Sequence, residues 1–183
     1  MKNRVLVMAA FLIMAGFQWY IPWNMSRDIP MSEGNIYKFE MVPFDRNDPF
    51  RGKYLQLRFE ADRVKMDTMM DFKSGEEIYA VLDQDSAGFV RIQSVEREIP
   101  MEDLDFIITR VHMFSEKDTT VILDFSFDRY YLNENLARTI EDSYQHRFAD
   151  SAGENYAVVK VNEGRAMLEE VFIDGKAIQD WGR

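Results

Sequence analysis

The densest concentration of reactive side chains lies in residues 43–53, PFDRNDPFRGK, where Asp45, Arg46, Asp48, Arg51 and Lys53 put charge of both signs into nine positions. Pro43 and Pro49 each fix φ and stiffen the segment, and Gly52 permits a tight turn or bulge. Three kinds of chemistry suit such a cluster. The carboxylates can cap loop amides and pair with Arg51, aligning the start of the strand that follows; paired charges of this kind fix register more than they add stability. The same groups can bind a partner or peptide, or carry acid–base catalysis. The structural role is the expected one, with binding and catalysis behind it.

Other constellations fall short of their chemistry. There is no cysteine, which excludes disulfides, thiolate metal sites and thiol nucleophiles. His112 and His146 are far apart in the chain, and a lone imidazole on a strand or at a helix end is not a ligand set. Asp45 and Asp48 lack the ligand number of a calcium loop. Ser32 is followed by Glu33, and no G-x-S-x-G elbow, Gly-rich phosphate loop or dinucleotide fingerprint occurs. No cofactor and no metal are expected, and the protein is expected not to be an enzyme.

The elements that position these residues are mostly strands. Segment 36–42 (IYKFEMV) alternates apolar and polar positions, and 54–60 (YLQLRFE) does so more cleanly, with Leu55, Leu57 and Phe59 on one face and Tyr54, Gln56 and Arg58 on the other. Residues 78–82 and 88–95 flank a loop at 83–87. Residues 106–113 and 119–127 pair around a turn at 115–118. Residues 156–161 and 166–173 bracket Asn162-Glu163-Gly164-Arg165, where Gly164 offers the positive φ of a short hairpin loop; Asp174-Gly175 is a second turn, leading into 176–178. Segment 63–72 (RVKMDTMMDF), with Met66, Met69, Met70 and Phe72, reads as a loop covering the sheet. One segment breaks the pattern: in 133–147, Leu136, Ile140 and Tyr144 recur every four residues behind a capping Asn133, which predicts an amphipathic helix packed on the sheet. The expected fold is therefore mainly β, an antiparallel barrel or sandwich with one amphipathic helix.

Charge divides the chain. Residues 1–27 carry Lys2, Arg4 and Arg27 and no acid, so 28–183 hold 19 basic and all 32 acidic residues, a net of −13 against −10 overall. Such an acidic domain is a poor partner for nucleic acid. Residues 5–23 (VLVMAAFLIMAGFQWYIPW) contain no charged side chain. Nineteen residues of helix reach about 28 Å, the thickness of a bilayer's hydrocarbon core. Trp19, Tyr20 and Trp23 suit its headgroup boundary. An uncleaved transmembrane anchor in contact with membrane lipid is expected; a cleaved signal and a buried core helix are the alternatives. The basic start places the N-terminus in the cytoplasm. The expected layout is an anchor over 1–27 and an acidic extracytoplasmic β-domain over 28–183. It implies a single-pass inner-membrane protein facing the periplasm or cell exterior.

The segment PFDRNDPFRGKYLQLRF (43–59) resembles the signature of the GDYXXLXY family of small bacterial envelope proteins, matching it at Pro43, Asp45, Asp48, Arg51, Gly52, Tyr54 and Leu57. Lys53 stands where that family usually has Asp, and Phe59 where it usually has Tyr. The aromatic segment 127–134 (FDRYYLNE) resembles the second family block through Arg129, Tyr130 and Glu134, with Asp128 and Tyr131 as conservative departures. Residues 159–175 resemble the third. The resemblance implies a membrane-anchored protein of unestablished biochemical function. Members tend to be encoded beside multi-pass membrane proteins, which implies a complex with one. The expectation is a non-enzymatic accessory protein that binds a membrane or envelope partner. An envelope hydrolase or peptidase-like enzyme and a ligand-binding sensor are the alternatives.

Overall fold

The computed structural model describes Met14 and residues 34–42, 54–66, 71–101, 103–115, 117–132 and 155–182. The chain divides into two units, Met1–Glu33 and Gly34–Arg183. Among the described residues no helix is long and apolar enough to cross a membrane. Apart from Met14, which is helical, the expected span at 5–23 lies outside the described residues, as does the amphipathic helix expected at 133–147.

The second unit is built from antiparallel strands: β1 (Asn35–Glu40), β2 (Tyr54–Gln56), β3 (Arg63–Lys65), β4 (Glu77–Gln84), β5 (Val90–Glu96), β6 (Phe106–Ser115), β7 (Thr120–Asp124), β8 (Arg129–Tyr131), β9 (Tyr156–Asn162), β10 (Arg165–Ile173) and β11 (Lys176–Ala177). The described helical structure of this unit is limited to 3₁₀ turns at Glu60–Asp62 and Ile178–Gly182. Strands order as β1-β9-β10-β11, β2-β8 and β3-β7-β6-β4-β5. Isolated bridges stitch these sheets together: Lys38 to Phe89, Met41 to Phe59 and Ile107 to Gly164. The result is a nearly closed, barrel-like sheet around one core.

Alternation puts every second side chain inside. Phe39, Leu55, Ile78, Ile107, Val121, Val159 and Ile173 are all essentially inaccessible. At the centre Phe39 meets Phe59, Phe125 and Phe127 at ring-centroid distances of 5.6, 5.7 and 5.1 Å, each edge-on, the favoured geometry for ring quadrupoles.

Most predicted hairpins stand. The β9–β10 loop is a two-residue turn with Glu163 at φ 47° and Gly164 at φ 81°, the doubly positive backbone whose twist matches that of the flanking strands. Two local readings need correction. The ladder predicted through 54–60 ends at Gln56. Leu57 N–H still donates to Asp128 O (2.7 Å), but the Arg58 carbonyl turns to Val42 N–H (3.0 Å), and a 3₁₀ turn follows. Burial alternation survives through Phe59 because the side chains keep facing one core while the backbone changes partner. In the methionine segment, Arg63–Lys65 is not loop but the edge strand β3, paired with β7; three residues are too short to show a period. Phe72 is buried, with Arg97 stacked 4.9 Å from its ring.

Candidate functional site

The three-residue strands β2 and β8 come from the first and second motif blocks, and they pair with each other. Tyr54 faces Tyr131, Leu55 faces Tyr130, and Gln56 faces Arg129. Strands this short gain little from their own hydrogen bonds. They are held by Leu55 and Leu57, both buried in the core, and by Leu132 just beyond β8. Leu57 is thus a packing residue. Tyr130 is half-buried, and its hydroxyl accepts from Gln179 Nε2 at 3.3 Å.

The opposite face of the ladder is different. The Tyr54 and Tyr131 rings lie 5.8 Å apart, and the Arg129 guanidinium lies 5.3 Å from the Tyr54 ring, a cation–π arrangement. Arg129 Nε also stands 3.6 Å from Asp128 Oδ1. Tyr131 is 71% exposed, so most of its surface is open to solvent. Of the sequence-predicted site residues, the structure places Tyr54, Leu57, Arg129 and Tyr130 together. Asp45, Asp48, Arg51, Gly52 and Glu134 lie outside the described residues.

Two grooves flank the ladder. One, of about 590 Å³, runs past Ile108, Arg110, Asp124, Asp128, Arg129 and Tyr131. The other, of about 370 Å³, is lined by Arg58, Asp62, Arg63, His112 and again Asp124 and Asp128. Burial pushes the Asp62 carboxyl above the ordinary carboxylate range, against the opposing pull of Arg58 and Arg63. Burial raises Asp128 likewise, opposed by Arg129 and reinforced by Asp124. Among the described residues no three His, Asp or Glu side chains stand close enough to hold a metal ion.

Tyr131, Asp128 and Asp62 are members of this site that sequence reasoning passed over. Tyr131 and Asp128 sit inside the second motif block, but their partners are set by a pairing 70-odd residues distant in sequence. Asp62 belongs to a turn that carries no motif.

The ladder joins the two motif segments into one unit, and comparison with protein families gives one match that spans both: the model of a family described as GDYXXLXY protein matches residues 20–171. The chain belongs to the GDYXXLXY family. No curated protein and no solved structure matches it. Within the family pattern, the Phe at position 59 has a physical setting here. Its ring packs 5.3 Å from Phe127 and 5.6 Å from Phe39 in a dry aromatic cluster, where a phenyl needs no hydrogen-bond partner.

Proposed function

We propose that this GDYXXLXY-family chain is a membrane-anchored, non-enzymatic accessory protein of the bacterial envelope. Residues 5–23 span the inner membrane, and the β-domain faces outward and binds a membrane or envelope protein. The observation that carries the reading is the outer face of the motif ladder. Arg129 and Tyr131 both stand against the Tyr54 ring, yet Tyr131 stays open to solvent. Tyrosine and arginine are the side chains that interface hot spots favour, since each offers a large contact area and a polar end. The adjoining 590 Å³ groove gives a partner side chain somewhere to go.

The test is co-purification of the full-length chain from detergent-solubilised membranes after crosslinking at its natural abundance. A partner should be retained by the wild type and lost by roughly tenfold or more in Tyr131→Ser and Arg129→Ala variants that remain folded. A chain that runs alone after crosslinking overturns the reading. An enzymatic role has one observation in its favour, the two carboxyls raised by burial in one groove, since perturbed acids gather at catalytic sites. It predicts that Asp128→Asn abolishes an activity while leaving partner retention intact.

A further inference from the structure

The end of the barrel where the described domain begins, at Gly34, carries its own surface. Asn35 pairs with Val161, and Ile108 N–H donates to Gly164 O at 2.8 Å. The start of β1, the β9–β10 turn and the start of β6 therefore share this end, with the β5–β6 loop beside them. Among the described residues of the domain, most of the exposed large apolar side chains belong to the segments at this end. Ile36 and Met167 flank Lys160 in one cross-strand row, and Ile99, Met101, Leu104 and Ile108 belong to the loop and its exit.

The β5–β6 loop is built to present them. Ile99 is 71% exposed and Met101 81%, while Pro100 between them is buried. The buried ring anchors the loop and fixes φ between two exposed neighbours. Leu104 N–H closes the turn on Met101 O (3.1 Å), and Leu82 N–H donates to Asp105 O (2.8 Å). The Asp105 carboxylate accepts from Asn35 Nδ2 (2.6 Å) and from the Tyr37 hydroxyl. A loop tied down at its base in this way holds two apolar side chains in water before any partner arrives, so little ordering entropy remains to be lost on binding.

The charge around the tip selects its occupant. Among residues 98–109 four are acidic (Glu98, Glu102, Asp103, Asp105) and none is basic. Asp105 is engaged at the loop base, and Glu98 and Asp103 are exposed. Of the bases around this end, Arg97 just before the loop pairs with Glu76 at 2.5 Å, Lys160 on the neighbouring sheet faces Glu169 at 3.9 Å, and Arg165 begins β10 beyond the β9–β10 turn. A second copy of the chain would bring the same acids against each other, and like-charge contacts are costly. An anionic bilayer surface repels them too. From this we infer that the Ile99–Met101 tip is a second docking surface. Its occupant is a protein that offers an apolar socket rimmed by lysine or arginine. The inference rests on the proposed accessory role and adds a contact separate from the motif ladder. Lipid is the competing occupant, because exposed apolar side chains on a membrane-anchored protein also suit an acyl-chain boundary.

A photo-crosslinking phenylalanine analogue at position 101 of the full-length chain, in its native membranes, tests it. The expected result is an adduct to one protein, identified by mass spectrometry. Its yield should fall about tenfold in Glu98→Lys/Asp103→Lys and less in Glu98→Gln/Asp103→Asn, because reversal repels a basic rim and neutralisation only removes attraction. Both pairs alter exposed side chains, and unchanged thermal midpoints confirm folding. Lipid adducts that rise on charge reversal, or adducts between two copies of the chain, overturn the inference. The same analogue at position 131 separates the two failures. Adducts at 131 but none at 101 sink the tip alone, and adducts at neither sink the accessory role with it.

Discussion

Tyr37 illustrates how one polar atom ties together parts of the chain almost seventy residues apart. Its ring is buried, and its hydroxyl donates to Asp105; burial first, and then the Asp105 carboxylate, push the phenol well above its ordinary value. Tyr37→Phe keeps the ring and removes one of the two donors that meet the Asp105 carboxylate, leaving Asn35 in place, so it should cost about 1 kcal/mol in urea denaturation. The acid range has two opposing signs. Asp62 is raised by burial, so the folded state holds its proton more tightly than the unfolded chain does. Its ionisation cost is absent below the unfolded value near 3.8 and complete above the raised folded one. Asp62→Asn should therefore be more stable than wild type at pH 7, by no more than about 1 kcal/mol given partial exposure, and the lead should vanish as pH falls toward 4. Thermal midpoints across that range would show it. Asp85, held low by the Phe89 amide, and Glu76, held low by Arg97, act the other way. Their contribution is present above the unfolded value and is lost as pH falls through the folded one. The identities of these groups are plain in the chain, but their surroundings are not. Asp62 looks like any solvated acid until the fold buries it beside Arg58 and Arg63.

At the scale of elements, the two-residue turns compare directly. Gly164 and Gly175 both occupy the second position of a turn with positive φ, 81° and 72°. A Cβ on Gly164 would meet Phe106 Cε2 at 2.6 Å and Ile108 Cγ1 at 2.7 Å, whereas nothing lies within 4 Å of one on Gly175. Gly175→Ala should cost about 1 kcal/mol of backbone strain. Gly164→Ala should cost roughly 2–3 kcal/mol, the excess measuring how tightly this hairpin end packs on β6. Chemical denaturation of the two variants tests the difference. The hairpins themselves were legible because turn chemistry and period-two alternation are local. Strands β3 and β8 were not, since three residues carry no period and their existence depends on a distant partner: Val64 pairs with Val121, and Tyr130 with Leu55.

At the scale of the molecule, four phenylalanines from different segments, Phe39, Phe59, Phe125 and Phe127, converge in one cluster. Phe39 belongs to the four-stranded sheet and the others to chain flanking β2, β7 and β8, so its ring bridges layers that backbone hydrogen bonds join at only a few points. Phe39→Ala should cost about 3–5 kcal/mol and lower hydrogen-exchange protection in β1 and β7 together. Protection lost in β1 alone would show that the sheets open independently. β1 also pairs with β9 across some 120 residues, and pairings this non-local place refolding in the millisecond-to-second range. Stopped-flow refolding of the domain would check that rate.

By itself the chain determined the class and the faces. Alternation assigns which side chains turn inward, the lack of cysteine excludes thiol chemistry, and the motif blocks declare the family. These are properties of residue type and spacing, and they persist whatever the rest of the molecule does. Only the tertiary structure decided that the first and second motif blocks form one ladder, that Tyr131 is left open beside Arg129, and that Asp62 and Asp128 share a groove. It also decided that Ile99 and Met101 stand outward on a buried proline. Each depends on pairing between distant segments, whose register is set by the fit of a common core. No local pattern contains that information.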